Sequence, residues 1–216
     1  MYELEADSIV LDFGQRNILK DVFLRCNSNE VLGLLGRNGQ GKSCLLQIIY
    51  GVLEPGYKLV RINKQVMRTA CTRPDMIRYL PQFNFLPPDI SIQQALYLFE
   101  AQFQALETWF PETGWRLSGK VGELSGGQRR ILEVYLIIQS KTKFVLLDEP
   151  FTHLMPIQVD KVKQLIQSEK QHKGFIVTDH LYRDILDISD RMYLINNGKT
   201  HPITDKEQLR DLGYIR

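Results

Sequence analysis

Gly36-Arg37-Asn38-Gly39-Gln40-Gly41-Lys42-Ser43 decides how the rest of this 216-residue chain is read. An apolar run, Glu30-Val31-Leu32-Gly33-Leu34-Leu35, precedes it, and a second, Cys44 to Tyr50, follows it. The order is strand, glycine-rich loop, helix, which is the setting in which G-x-x-x-x-G-K-[ST] binds phosphate. Glycines admit positive φ, so successive backbone N–H groups can turn inward on phosphate oxygens. The helix that starts there adds its own unpaired N–H groups. Lys42 reaches the outer phosphates, and the Ser43 hydroxyl is placed to hold Mg²⁺. Gly36, Arg37, Asn38, Gly39, Gln40, Gly41, Lys42 and Ser43, with Cys44 directly behind them, form the expected nucleotide-binding segment. The alternative is a plain glycine-rich turn.

The composition suits a water-exposed globular chain, with 44% hydrophobic and 24% charged residues. A net charge of +2 gives no electrostatic case for nucleic acid. Cys26, Cys44 and Cys71 are odd in number and lack metal-ligand spacing, so reduced thiols are expected. The N-terminal Tyr2-Glu3-Leu4-Glu5 is no signal peptide. No apolar stretch nears the roughly 20 residues that span a bilayer.

Outward from the loop, residues 2–26 alternate apolar and polar, which predicts two or three strands of a half-buried antiparallel sheet. Gly14 to Asn17 reads as a turn, and Gly51 as the residue that ends the helix after the loop. Short strands are expected at 57–62 and 76–80. Ser91 can cap a helix through 92–107, with Ala95, Leu98, Phe99 and Phe103 on its apolar face. Residues 108–124 read as irregular. Ser125-Gly126-Gly127-Gln128 opens a helix to about Ser140. The apolar strand Phe144-Val145-Leu146-Leu147 ends in Asp148-Glu149-Pro150. A helix from Pro156, a strand at 175–177 ending in Thr178-Asp179-His180, a further helix to Ile188 and a closing hairpin complete the chain.

Short apolar strands each followed by a helix imply a parallel sheet buried on both faces. Right-handed crossovers bring all strand C-terminal ends to one edge, where ligands bind. Lys42, Asp148, Glu149 and His180 all lie just past strand ends. Asp148 is placed to hold Mg²⁺ beside Ser43, and Glu149 to polarise a water for in-line attack. His180 in such a set is placed to hydrogen-bond the terminal phosphate. Ser125 and Gln128 make a capping box. Two glycines in the first turn of that helix cost about 1 kcal/mol each against alanine, which points to close approach by another group.

Leu124-Ser125-Gly126-Gly127-Gln128, placed before Phe144–Pro150, resembles the ATP-binding cassette (ABC) ATPase family, and the resemblance spans essentially the whole chain. It implies an α/β fold: a P-loop NTPase parallel-sheet core, an N-terminal antiparallel β subdomain and a small helical insert, together one cassette domain over 1–216. Residues 1–82 and 141–216 are then the core with its β subdomain, and 83–140 the helical part. By the same resemblance Gly36–Ser43 is the Walker A loop, and Asp148 and Glu149 close Walker B. Gln82 is the Q-loop glutamine, reaching Mg²⁺ and the attacking water. His180 is the switch histidine, and Phe13 sits where an aromatic residue stacks on adenine; a buried core phenylalanine is its other reading. Ser125, Gly126, Gly127 and Gln128 would cover the ATP of a second cassette, so a homodimer is implied.

The implied function is ATP binding and hydrolysis that drives separate transmembrane permease subunits from the cytoplasmic face of the cell membrane, with no direct nucleic-acid contact. Similarity to lipopolysaccharide-export and branched-chain amino-acid transport cassettes points the same way. A soluble ABC ATPase on ribosomes or DNA, and a low-turnover regulatory subunit, share these motifs. One position departs from the family. Met155 stands where the D-loop aspartate helps the two sites communicate, and a thioether is only a weak acceptor.

Overall fold

The computed structural model describes residues 1–215. Its first strands, β1 (Glu3–Phe13) and β2 (Arg16–Asn27), form an antiparallel hairpin. β3 (Val31–Gly36) leads through the glycine-rich loop into α1 (Lys42–Tyr50). β4 (Tyr57–Ile62) and the two-residue β5 (Gln65–Val66) return to the first hairpin, giving a four-stranded sheet in the order β2-β1-β4-β5.

The second sheet is built around the loop. β6 (Ile77–Leu80), β7 (Phe144–Asp148) and β8 (Gly174–Thr178) run parallel to β3. β9 (Arg191–Asn196) also pairs β3 in parallel, and β10 (Lys199–Ile203) folds back on β9 as an antiparallel edge. The order is β10-β9-β3-β8-β7-β6. The helices are α2 (Ile92–Leu98), α3 (Phe103–Trp109), α4 (Gly126–Gln139), α5 (Pro156–Glu169), α6 (Tyr182–Ile188) and α7 (Lys206–Asp211). Among the described residues no helix is long and apolar enough to cross a membrane.

The period-2 alternation of a strand decides which core each side chain enters. Along β3, Val31 and Leu35 join one hydrophobic cluster with Val145, Leu147 and Val177; α4 and α5 cover it with Leu132, Leu136, Val162 and Leu165. Leu32 and Leu34 face the other way and join Leu45, Ile48 and Ile49 of α1 with Leu4, Ile9 and Leu24 of the antiparallel sheet. Every residue of β3, β7 and β8 is buried. The antiparallel sheet comes down on the parallel one at Gly174, where an added Cβ would sit 2.5 Å from the Asn27 carbonyl oxygen and 2.8 Å from the Phe144 ring.

Two expectations change. The helix predicted over 92–107 is two helices: Glu100 takes φ 53 and the chain turns between them. That turn sends Leu106 and Phe110 into the core, packs the Phe99 ring at a tilt against Phe85, 5.8 Å between centroids, and leaves Leu98 62% exposed, off the apolar face expected of it. Long-range packing of aromatic rings outweighs the continuous helical periodicity there. The stretch 108–124 holds two 3-10 turns, Pro111–Thr113 and Val121–Glu123, and a bridge from Ser91 to Lys120.

Candidate functional site

In the parallel sheet, Leu80 pairs Leu147 and Asp148 pairs Thr178, so the residues after β3, β6, β7 and β8 emerge along one edge. A cleft of about 340 Å³ opens there, a size suited to a small-molecule ligand. Phe13, Ile18, Asn38, Gly39, Gly41, Lys42, Ser43, Cys44, Gln82, Glu149 and His180 line it. Residues separated by more than a hundred positions meet because β6, β7 and β8 stack beside β3.

The glycine-rich loop wraps one side. Gly39 and Gly41 take φ 77 and φ 95, and a Cβ on Gly41 would strike Ile18 and Leu19 at 2.9 Å. Gly41 is also the N-cap of α1, and no side chain caps that end. The first N–H groups of the helix therefore face the cleft as donors with partial positive charge. Lys42 is 7% exposed and donates to the carbonyl oxygens of Gly36 (2.7 Å) and Arg37 (3.3 Å). Burial pulls its pKa down, while Glu149, Asp148 and Asp179 pull the other way.

Beneath the loop, the Ser43 hydroxyl donates to Asp148 Oδ1 at 3.0 Å, and the Tyr79 hydroxyl to Asp148 Oδ2 at 3.1 Å. Burial pushes the Asp148 carboxyl above its ordinary value, against the two hydroxyl bonds that favour the ion. The donor set, one hydroxyl and one carboxylate, is hard oxygen, the chemistry Mg²⁺ takes when phosphates supply the remaining ligands. The buried carboxylate and uncapped helix end both fit a Mg²⁺–nucleotide pair.

Across the cleft, Glu149 Oε2 accepts from Gln82 Nε2 at 2.7 Å and lies 3.0 Å from His180 Nε2. Two residues from two other strand ends thus converge on one oxygen of the Glu149 carboxylate. Glu149 itself has φ 53, a conformation that costs a non-glycine residue free energy and is held only by its surroundings. Phe13 is 54% exposed at the end of β1, so it is not a core residue, and its ring borders the cleft.

Not every expected residue is here. Arg37 and Gln40 line an adjoining cavity with Leu194, Asn196 and Tyr214, where the Arg37 guanidinium donates to the Gly213 carbonyl. Ser125, Gly126, Gly127 and Gln128 do not line the cleft. They open α4, where Ser125 Oγ accepts from the Gln128 N–H at 3.2 Å and Gln128 Oε1 accepts from the Ser125 N–H at 2.9 Å. The two glycines differ: a Cβ on Gly127 would meet the His153 carbonyl at 3.0 Å, whereas Gly126 has nothing within 4 Å. Gly127 is explained inside the chain, and Gly126 presents open backbone outward.

Sequence reasoning missed Tyr79, Asp179 and Arg130. Asp179 is 1% exposed and accepts from the Phe151 and Leu181 N–H groups at 3.1 and 3.2 Å, pinning the segment after β7 to the end of β8. Its place between Thr178 and His180 at a strand end was the available signal. Tyr79 carried none.

The balance of charge at Asp148 makes a prediction. Its folded pKa lies above its ordinary value of 3.8, so ionisation costs stability; that cost is absent below 3.8 and complete once the pH passes the raised folded value. Asp148→Asn is expected to raise the melting temperature of the nucleotide-free protein at pH 7 by about 2–4 °C, for about 1 kcal/mol. The gain should shrink as the pH falls toward 4, and Mg²⁺-dependent hydrolysis should be lost. Calorimetry at several pH values checks this, and an unchanged or lower melting temperature at pH 7 refutes it.

Residues 19–152 match the family model described as ABC transporter. The chain is 30% identical to the lipopolysaccharide export system ATP-binding protein LptB of Haemophilus influenzae, over 95% of this chain and 92% of that one. It is 31% identical to a probable ABC transporter ATP-binding protein of Azorhizobium caulinodans, over 95% of this chain and 78% of that one. The solved ATP-binding subunit of an ABC transporter superposes with a TM-score of 0.81 at 21% identity, covering 98% of this chain and 93% of the other. A bacterial Atm1-family ABC exporter with ATP bound gives 0.83 at 17% identity, covering 97% of this chain and 40% of the other. These two establish the fold.

Proposed function

The chain belongs to the ABC transporter family and is an ATP-hydrolysing, ATP-binding subunit; from that premise we propose how its residues do the work and what they meet. The observation that carries the proposal is the convergence of Gln82, His180 and Glu149 opposite Lys42 and Ser43. Lys42, the loop N–H groups and the uncapped end of α1 bind the phosphates of ATP, and Phe13 offers its exposed ring to the base. Ser43 and Asp148 hold Mg²⁺, which when bound supplies charge neutralisation at the phosphates. Glu149 takes the proton of the attacking water. Gln82 and His180 hold its Oε2 in place, and His180 also donates to the terminal phosphate.

Two copies would close over two nucleotides. Ser125 is exposed and Gly126 presents bare backbone at an N-terminus, so that end of α4 can reach the phosphates bound by a second copy. Closure is favoured because the terminal phosphate gains contacts from both copies only in the closed state. Met155, 56% exposed, adds no charge to that interface.

The permease is read as a separate set of chains, in keeping with the description of the Haemophilus relative as the ATP-binding protein of an export system. Its docking place lies on residues 83–140, which we treat as a helical unit. An apolar groove of about 440 Å³ is lined by Ile90, Gln93, Gln94, Tyr97 and Leu98, with Tyr97 84% exposed. A short helix of the permease, with its apolar face inward, fits that groove. Co-expression with the permease tests the assignment. Leu98→Asp should leave ATPase activity of the isolated chain unchanged and cut the share that sediments with membranes about tenfold. Undiminished sedimentation, or sedimentation without any permease, refutes it.

A further inference from the structure

Arg130 is among the largest fully buried side chains of the molecule, yet it is charged and lies outside the nucleotide cleft. It sits on the second turn of α4, five residues beyond Ser125. Its two terminal nitrogens point at different parts of the chain. Nη1 donates to the Pro81 carbonyl at 2.8 Å, and Nη2 to the carbonyl oxygens of Asp148 and Glu149, both at 2.8 Å. Pro81 immediately precedes Gln82, so one guanidinium grips the backbone under both partners of the 2.7 Å Gln82–Glu149 bond.

The rest of the helix strengthens that grip. Glu133, fully buried one turn on, accepts from the Phe85 and Leu86 N–H groups at 3.0 and 3.1 Å. Its Oε2 stands 3.9 Å from Arg130 Nη1, so the guanidinium has a partial counter-charge. Arg129 donates to the Leu86 carbonyl. The segment 81–86 is thereby tied to α4 at both ends. Glu149 meanwhile holds a φ of 53, which side-chain-bearing residues avoid unless bonds on either side impose it. Its own N–H goes to Thr178 at 2.8 Å, and its carbonyl goes to Arg130.

We propose that Arg130 is a positioning residue for ATP hydrolysis: its guanidinium sets the backbone of Glu149 and Gln82 from the helix that carries Ser125–Gln128. This rests on the reading of Glu149 as the base. Movement of α4, whose N-terminus is placed to meet a second copy's nucleotide, then changes where the Glu149 carboxylate stands. The fork geometry is essential. A lysine has three donors on a single atom and cannot span carbonyls on both sides.

Arg130→Lys is the test, with ATP turnover, nucleotide affinity and amide exchange measured on the full chain. The expected result is a fall in kcat of about ten- to a hundredfold, as a misplaced reacting group gives, with the ATP KM and the Kd of a fluorescent ATP analogue within about twofold. Amide exchange should quicken at 148–152 and stay unchanged at 31–36 and in α5. A wild-type kcat overturns the proposal, as does a parallel change of kcat and KM. An unfolded variant, or exchange that quickens everywhere, assigns Arg130 to general stability and overturns it too. Glu149→Gln in the same assay separates the two readings: if that variant keeps its turnover, the assignment of the base fails, whatever Arg130→Lys does.

Discussion

Glu149→Gln is expected to lower ATP hydrolysis about 10²- to 10⁴-fold, the usual worth of a general base, and to leave ATP binding intact. The geometry isolates proton transfer from everything else. Glu149 is buried to 7% exposure, and its Oε2 serves Gln82 Nε2 and faces His180 Nε2. The amide oxygen, placed where Oε2 stands, still accepts from Gln82 and faces His180 Nε2 as the carboxylate oxygen did. Side-chain volume and the φ of 53 are kept. What disappears is the capacity to take a proton from water. Lys42 and the Ser43–Asp148 pair make no hydrogen bond to the Glu149 side chain and keep their own partners. The variant should therefore bind ATP, close with a second copy and stay closed, eluting as a dimer on gel filtration with Mg²⁺ and ATP. Turnover within threefold of the wild type would remove Glu149 from the mechanism. A monomer with saturating ATP would instead refute closure over two nucleotides.

Lys42→Ala should weaken ATP binding by about 30- to 4000-fold, corresponding to about 2–5 kcal/mol for losing one partner of a buried charge pair. Lys42 is the cation of the cleft wall nearest to Asp148, Glu149 and Asp179, all three buried. Without it, nucleotide phosphates would enter a site whose remaining fixed charges are carboxylates, with only N–H dipoles to offset them. Linkage makes the effect visible without any turnover measurement. A ligand at a hundred times its Kd stabilises the native state by about 2.7 kcal/mol, so ATP should raise the melting temperature of the wild type, and that rise should vanish in the variant. The nucleotide-free variant itself should melt close to the wild type, since losing bonds to Gly36 and Arg37 is offset by no longer burying an ammonium. An ATP-dependent rise equal to the wild type's would show that Lys42 does not carry the binding.

The parallel core was legible because its strands are apolar without interruption. Val31–Leu35 and Phe144–Leu147 can only be buried on both faces, and the rule that ligands sit at strand C-terminal ends then gathers Lys42, Asp148, Glu149 and His180. The helical segment was less legible. Periodicity over 92–107 fits one helix, and nothing local says that Glu100 turns the chain; the Phe85–Phe99 contact that favours the turn joins residues brought together only by folding. The paired glycines after Ser125 signalled close approach without saying by what, and their surroundings divide them, Gly127 against His153 and Gly126 against open space.

By itself the sequence determined the phosphate loop, the strands that frame it and the acidic pair at the end of β7, because these depend on local properties: glycine's tolerance of positive φ, unbroken hydrophobic runs and residue spacing along a single strand. Only the tertiary structure decided that Arg130 spans Pro81, Asp148 and Glu149, that Tyr79 shares Asp148 with Ser43, and that Phe13 stands exposed at the cleft. Those arrangements depend on which side chains become neighbours when α4 and β6 pack beside β7. A buried charge or hydroxyl must then find its partners among atoms far away in the chain, and no pattern along the sequence encodes that distance.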